Sequence, residues 1–368
     1  MLFSAQSFAA FTDVYFFGDS LMDNGSPVAP PLVALGANFP VPPYATGRYS
    51  NGNVWTETFA SELGFTAEYG VNSFAVGGAV SADLTTATSA SHVFFLAGAS
   101  QVGSLRATPG GVDPGALRVF GIGGNDYFNA TISQSPLDLQ NQILSNTRLG
   151  SEALQAEGAQ HFLVLNATDT SISPILGTEF RGIAEAFNEV LQVEFGDDHM
   201  IFNSFAYLES VRGNYLDSTG TIGIDIGEDA ATCLSDPVCG PAAAAGGGPE
   251  DSTAFLLFDD IHPTREFHAD FGTAVAASVV PLPAPLLLLV AGLGVLRAAA
   301  SRKSAAWMSR ALADRRESTL TSNSLVASHP SGKRRTTPPK PGGTGISPQL
   351  PRSLVHVVTA RPSLAAFC

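Results

Sequence analysis

Lysine is missing from the first 296 residues, and that absence narrows the function before any motif is read. The stretch holds seven arginines against 31 Asp and Glu, whereas residues 297–368 hold twelve Lys and Arg against two acids. The formal net charge of −14 is therefore −24 from the body and +10 from the tail. An acidic body without lysine repels phosphate backbones and anionic membrane faces, which argues against nucleic acid as a partner of this region. Cysteine is scarce too. Cys233, Cys239 and Cys368 make neither a zinc ligand set nor a disulfide scaffold. Cys233 and Cys239 either close one small loop in an oxidising compartment or stand as two unpaired thiols. Charged residues amount to only 14%, but 45% of the chain is hydrophobic, enough for a core, so the chain as a whole is not a disordered one.

What is present alternates. Short apolar runs at Val14–Phe17, Asn72–Val76, Arg118–Ile122, His161–Leu165 and Met200–Phe205 read as strands. Helical stretches at Val54–Leu63, His92–Leu105, Leu137–Glu157, Gly177–Phe195 and Thr264–Ala277 lie between and after them. The pattern predicts an α/β domain over residues 12–279: a doubly wound, five-stranded parallel sheet in a three-layer α/β/α sandwich, with its site at the carboxyl ends of the strands. Two long segments interrupt it. Ser26–Asn53 is rich in Pro, Gly and Asn and reads as an ordered loop; Leu208–Ser252 is rich in Gly, Ala and Asp, with Ala242–Gly248 as flexible linker.

Four short blocks carry chemistry. Phe17-Gly18-Asp19-Ser20-Leu21-Met22-Asp23-Asn24-Gly25 follows the first strand directly, so Ser20 stands on a turn at the top of the sheet where its hydroxyl can reach a substrate. A serine nucleophile needs a base, and the base needs an acceptor on its other ring nitrogen. Phe258-Asp259-Asp260-Ile261-His262-Pro263-Thr264 supplies both: His262 takes the serine proton, and Asp259 fixes its tautomer. The other histidines, His92, His161, His199, His268, His329 and His356, have no comparable setting and read as surface or packing residues. Donors for an oxyanion come from Asn72-Ser73-Phe74-Ala75-Val76-Gly77-Gly78-Ala79 and from Gly123-Gly124-Asn125-Asp126. The latter faintly resembles a calcium-binding β-roll repeat, but it occurs once and such rolls need tandem copies, so no metal site is read. Asp19, Asp23 and Asp126 are taken as turn and network acceptors.

In kind, order and placement these blocks resemble the SGNH/GDSL hydrolases, over roughly Val14 to Ala277. The resemblance implies the flavodoxin-like fold of that family and a serine esterase or lipase-like activity with no cofactor. It puts the nucleophile on Ser20, the acid and base on Asp259 and His262, and the oxyanion hole on the amides of Ser20 and Gly77 (Gly78 if the alignment slips by one) and the side chain of Asn125. Gly47-Arg48-Tyr49-Ser50-Asn51-Gly52-Asn53-Val54-Trp55 is similar to a segment of the lipase-like branch. Asn166-Ala167-Thr168-Asp169 departs from the family's usual Asn-Leu-Pro-Asp and leaves one cleft wall open. Implied substrates are small-molecule, lipid or polysaccharide esters. The alternatives are a surface-anchored polysaccharide deacetylase, a thioesterase of the same fold, or a catalytically idle surface binding protein.

The ends carry an address. Met1–Phe11 is apolar and is read as the remnant of a signal peptide. Val280-Pro281-Leu282-Pro283-Ala284, an apolar run to Leu296 and the basic Arg297, Arg302 and Lys303 resemble the VPLPA variant of the PEP-CTERM sorting signals of Gram-negative bacteria. The run is near the lower limit of a membrane span, ~17–25 residues. A buried core helix is the bland reading, but a proline-led start and a basic stop favour the membrane. This implies export to the cell surface, with a sorting protease and the membrane as partners of residues 280–303. Residues 304–368, rich in Ser, Pro, Thr and Arg, look like a disordered extension.

Overall fold

The run Val14-Tyr15-Phe16-Phe17-Gly18 has no charged residue to turn toward water, so it makes a stable strand only if both its faces are covered. The computed structural model describes residues 11–25, 40, 42–86, 100–108, 110–130, 134–244 and 252–280. In it, β1 (Val14–Gly18) is buried at every position. It pairs in parallel with β2 (Leu117–Gly121), β2 with β3 (His161–Leu165), and β3 with β4 (Met200–Phe202), a four-stranded parallel sheet in the order β1-β2-β3-β4.

Side chains alternate across the strands and so divide between two cores. Val14, Phe16, Leu117, Val119 and Leu163 pack with helices α1 (Trp55–Glu62), α6 (Ser204–Val211) and α8 (Arg265–Val279). Tyr15, Phe17, Phe120, Phe162 and Val164 pack with α2 (Gln101–Ala107), α4 (Pro136–Gln155) and α5 (Glu179–Phe195). Two short helices, α3 (Gly124–Asn129) and α7 (Cys239–Ala244), lie in the connections. The longest helix, α4, begins with Pro136 after the N-cap Ser135, whose Oγ accepts the Asp138 amide, and it buries Leu139, Ile143, Leu144, Thr147, Ser151 and Leu154 along one face.

The sequence predicts five strands; among the described residues four form. Residues 72–76 do run beside β1, with Phe16 N–H donating to the Asn72 carbonyl, Phe74 N–H to Phe16 and Val76 N–H to Gly18. Only a single bridge, Phe16 to Ser73, results. The segment is too short for more: the amides of Val71, Asn72 and Ser73 all turn back onto the Glu68 carbonyl, and Gly78 at φ 78° turns the chain away at the other end. β4 stops at Phe202 rather than Phe205 because Asn203 caps a helix, its Oδ1 accepting the Ala206 amide at 2.9 Å. Of the helix expected over His92–Leu105, residues 92–99 lie outside the described residues.

The segment expected to be a loop over 208–252 is more ordered than its composition suggests. Cys233 and Cys239 are disulfide-bonded, and residues 242–244 of the expected linker Ala242–Gly248 belong to helix Cys239–Ala244, while 245–248 lie outside the described residues. The amides of Cys233 and Leu234 bond the carbonyls of Leu257 and Phe258, so the small covalent loop is docked on the strand-like segment leading to Asp259. Except for Phe11 and Val280, the signal remnant, the sorting signal and the extension lie outside the described residues. No helix among the described residues is long and apolar enough to cross a membrane.

Helix α8 approaches α1 most closely at Gly272, where a Cβ would stand 2.5 Å from the Trp55 carbonyl oxygen and 2.9 Å from Thr58 Cβ. Exposed Gly182 on α5 has no such neighbour within 4 Å. Gly272→Ala is therefore expected to cost about 1–3 kcal/mol in urea unfolding, whereas Gly182→Ala is neutral or gains about 0.5–1 kcal/mol. Equal midpoints for the two variants would contradict the close approach.

Candidate active site

A strand buried on both faces must satisfy its last backbone groups before the chain can turn. At Gly18 a side chain does this: fully buried Gln101 accepts the Gly18 amide at 2.8 Å through Oε1 and donates to the Gly18 carbonyl at 2.7 Å through Nε2. The chain then folds into a tight turn, with the amides of Met22 and Asp23 on the Asp19 carbonyl and the Leu21 amide on Asp19 Oδ1. Ser20 sits on that turn beyond the end of β1, its Oγ 2.9 Å from His262 Nε2.

His262 is held from behind. Its Nδ1 lies 2.8 Å from Asp259 Oδ2, and its amide, together with that of Ile261, donates to Asp259 Oδ1. The Tyr44 hydroxyl adds a fourth donor, 2.6 Å from Oδ2. Burial presses the Asp259 carboxyl upward, but the His262 ring and charge, its amide and Tyr44 outweigh this and hold it at about 2. Tyr49 packs on the imidazole with ring centroids 5.2 Å apart. The same loop reaches α8: Ser50 Oγ donates to the Pro263 carbonyl and Asn51 Oδ1 accepts the Arg265 amide. Thus Gly47–Trp55, noted in the sequence only as a resemblance, buttresses the histidine turn. Tyr44 and Gln101 carried no local signal, since both act through contacts far along the chain.

The expected donors also gather at Ser20's end of the sheet. Asn125 lies in the first turn of α3, spends one N–H on the Ala79 carbonyl at 3.0 Å and, with Ser20, lines the same cavity. Asp126 binds both the amide and the hydroxyl of Ser81, and Asn146 donates to that hydroxyl as well, so the Gly77–Ser81 loop is tied to α3 twice. Gly77 itself is a correction. Its amide donates to Asp23 Oδ2 at 2.8 Å and is not free for an oxyanion. A Cβ there would collide with the Tyr49 ring at 2.2 Å, so glycine at this position makes room for the aromatic. The amides of Ser20 and Gly78 meet no acceptor among the described residues.

Beside Ser20 opens a cavity of about 230 Å³ with mainly apolar walls, among them Ile122, Tyr127, Phe180, Ile183 and Phe187. The departing segment Asn166–Asp169 forms part of its wall. Asp169 is buried there, caps the turn Thr170–Ile172 and pairs with Arg181, which also bonds Glu209. At the mouth, burial pushes the Asp19 carboxyl up to about 6, against the Leu21 amide and the charge of His262 and with the help of Asp126. The folded protein therefore binds that proton more tightly than the unfolded chain, and Asp19's contribution to stability is lost as pH rises from 3.8 through about 6. Asp19→Asn is expected to gain stability relative to the parent across that window in urea unfolding; parallel pH curves would sink the assignment.

No curated protein matches the chain at a significant level. A family model does: GDSL-like Lipase/Acylhydrolase matches residues 14–275, a span that holds β1, Ser20, Asn125, Asp259 and His262. The chain belongs to the GDSL-like lipase/acylhydrolase family.

Proposed function

We propose that the protein is a serine hydrolase that cleaves carboxylic esters through an acyl-enzyme on Ser20. The observation that carries this is the unbroken line of hydrogen bonds from Ser20 Oγ to His262 Nε2 and from His262 Nδ1 to Asp259. Because Asp259 stays ionised, it keeps the Nδ1–H tautomer and leaves Nε2 as the base. Ser20 Oγ attacks the ester carbonyl carbon as its proton passes to Nε2. The carbonyl electron pair moves onto oxygen, where the amides of Ser20 and Gly78 and the spare N–H of Asn125 receive it. Collapse expels the alcohol, which takes the proton from His262. Water then repeats the sequence on the acyl-enzyme and releases the acid. The apolar walls beside Ser20 support an ester with an apolar part, a small-molecule or lipid ester rather than a sugar-rich one.

In this assignment Asp23 sets the loop by taking the Gly77 amide, which leaves the next amide, Gly78, as the donor. Gly78 holds φ 78°, a conformation that side chains rarely adopt, and space is open where its Cβ would be.

The full chain is expected to hydrolyse short nitrophenyl esters, and Ser20→Ala to lower kcat on the order of 10⁴-fold or more. Asn125→Ala should lower kcat about 10²–10³-fold with KM little changed, while its urea midpoint shows a loss of only about 1 kcal/mol for the bond to Ala79. A folded chain with no turnover on any ester in the series would instead favour an idle binding protein.

A further inference from the structure

His268, one turn into α8, was read from the sequence as a packing histidine. It is 2% exposed, and the Trp55 amide donates to its Nδ1 at 3.3 Å. A nitrogen that accepts an N–H carries no proton, so the neutral ring must bear its hydrogen on Nε2. Burial, with the charge of His262 as a lesser cause, pushes its pKa down to about 3, and the ring stays neutral in ordinary buffers. Its Nε2 is buried and meets no acceptor among the described residues. Leaving such a donor unmade is costly, because the loss of its hydration is not offset by a new bond.

The place where this donor stands gives the orphan a use. His268 lines the same cavity as Ser20 and Asn125, and so does Ser204, whose Oγ is also buried without a partner. The other walls near them, Met22, Trp55, Leu208 and Phe271, offer aromatic and aliphatic surface. Both unpartnered polar groups thus belong to one mainly apolar cavity. An oxygen carried in on an otherwise apolar chain would satisfy both groups and cover the walls.

We infer that His268 is a specificity-determining residue whose Nε2–H donates to an oxygen on the acyl chain, so that the enzyme selects hydroxyacyl or oxoacyl esters over plain alkyl esters. Ser204 completes the contact: a substrate hydroxyl can accept from His268 and exchange a second hydrogen bond with Ser204 Oγ. The inference rests on the ester-hydrolase reading and refines its substrate.

The test uses the full chain and ethyl hexanoate beside ethyl hydroxyhexanoates and oxohexanoates, with the oxygen moved carbon by carbon along the chain. At the best position the parent is expected to show a higher kcat/KM than for ethyl hexanoate. His268→Phe should lower that ratio about tenfold, and Ser204→Ala should lower it for the hydroxy ester. His268→Gln, which keeps an N–H donor, should retain more of the ratio than His268→Phe, and it stands in should the Phe variant fail to fold. No preference at any position, or the same ratio in parent and variants, overturns the inference and leaves a buried water as the partner of Nε2. Turnover of ethyl hexanoate by the parent tests the hydrolase reading separately. If no ester is turned over, calorimetric titration of Ser20→Ala with the same esters still decides the His268 contact, read as a ratio of Kd values.

Discussion

A strand with no face toward water cannot leave its last peptide groups unpaired, and the pairing of Gly18 is the constraint on which the site depends. Gly18 pairs with β2 on one side, receives Val76 on the other, and has Gln101 on both its amide and its carbonyl. With those bonds made, the chain has one residue, Asp19, in which to leave the sheet. The Asp19 carbonyl and carboxylate then wind residues 21–23 into the turn that sets Ser20 against His262 at the cavity wall. Nothing here requires the serine to be reactive. The turn is a solution to buried backbone polarity, and reactivity comes from what stands opposite it.

What stands opposite is decided by two carboxylates in unlike surroundings. Asp259 collects the His262 ring, two amides and the Tyr44 hydroxyl, and it remains an anion despite burial. Asp19, next to Ser20 in the chain, has a side chain held by the Leu21 amide and is driven up by burial. Both depth and donors separate the two: Asp19 is the more deeply buried, and Asp259 has the more donors. The outcome suits the proposed reaction: the negative charge of Asp259 stays behind the imidazole, where it stabilises the protonated ring.

The α/β class, the sheet's parallel strands and the meeting of Ser20, Asp259 and His262 were legible because each is written locally: an apolar run, a Gly-Asp-Ser turn, an Asp three residues before a His. The misreadings have a common cause in contacts between distant segments. Nothing near Gly77 in the sequence says that Asp23 will take its amide. Residues 72–76 have strand composition, and only the Glu68 turn before them and Gly78 after them keep the pairing to a bridge. His268 lies at helical spacing with Phe271 and Val275 and reads as a surface or packing residue; it is buried, and what the sequence does not tell is its tautomer. Its tautomer is set by an amide more than 200 residues earlier, at Trp55.

The charge pattern bears on the last step of the proposed cycle. All seven arginines of the first 296 residues are engaged within the described residues. Arg48, Arg106, Arg148, Arg181, Arg212 and Arg265 pair with Asp or Glu, and Arg118 lies over Tyr15 with its donors on backbone carbonyls. The acids outnumber them more than fourfold, so the field around the body is negative with no arginine left over to attract anions. A neutral ester approaching the cavity feels little of this. The acid it becomes is an anion at neutral pH and is repelled from the site that formed it. The repulsion acts over about a Debye length, ~8–10 Å near physiological ionic strength. The same lysine-free composition that argues against nucleic acid therefore weakens rebinding of the acid product while sparing the neutral substrate, which limits product inhibition without altering the equilibrium of the reaction.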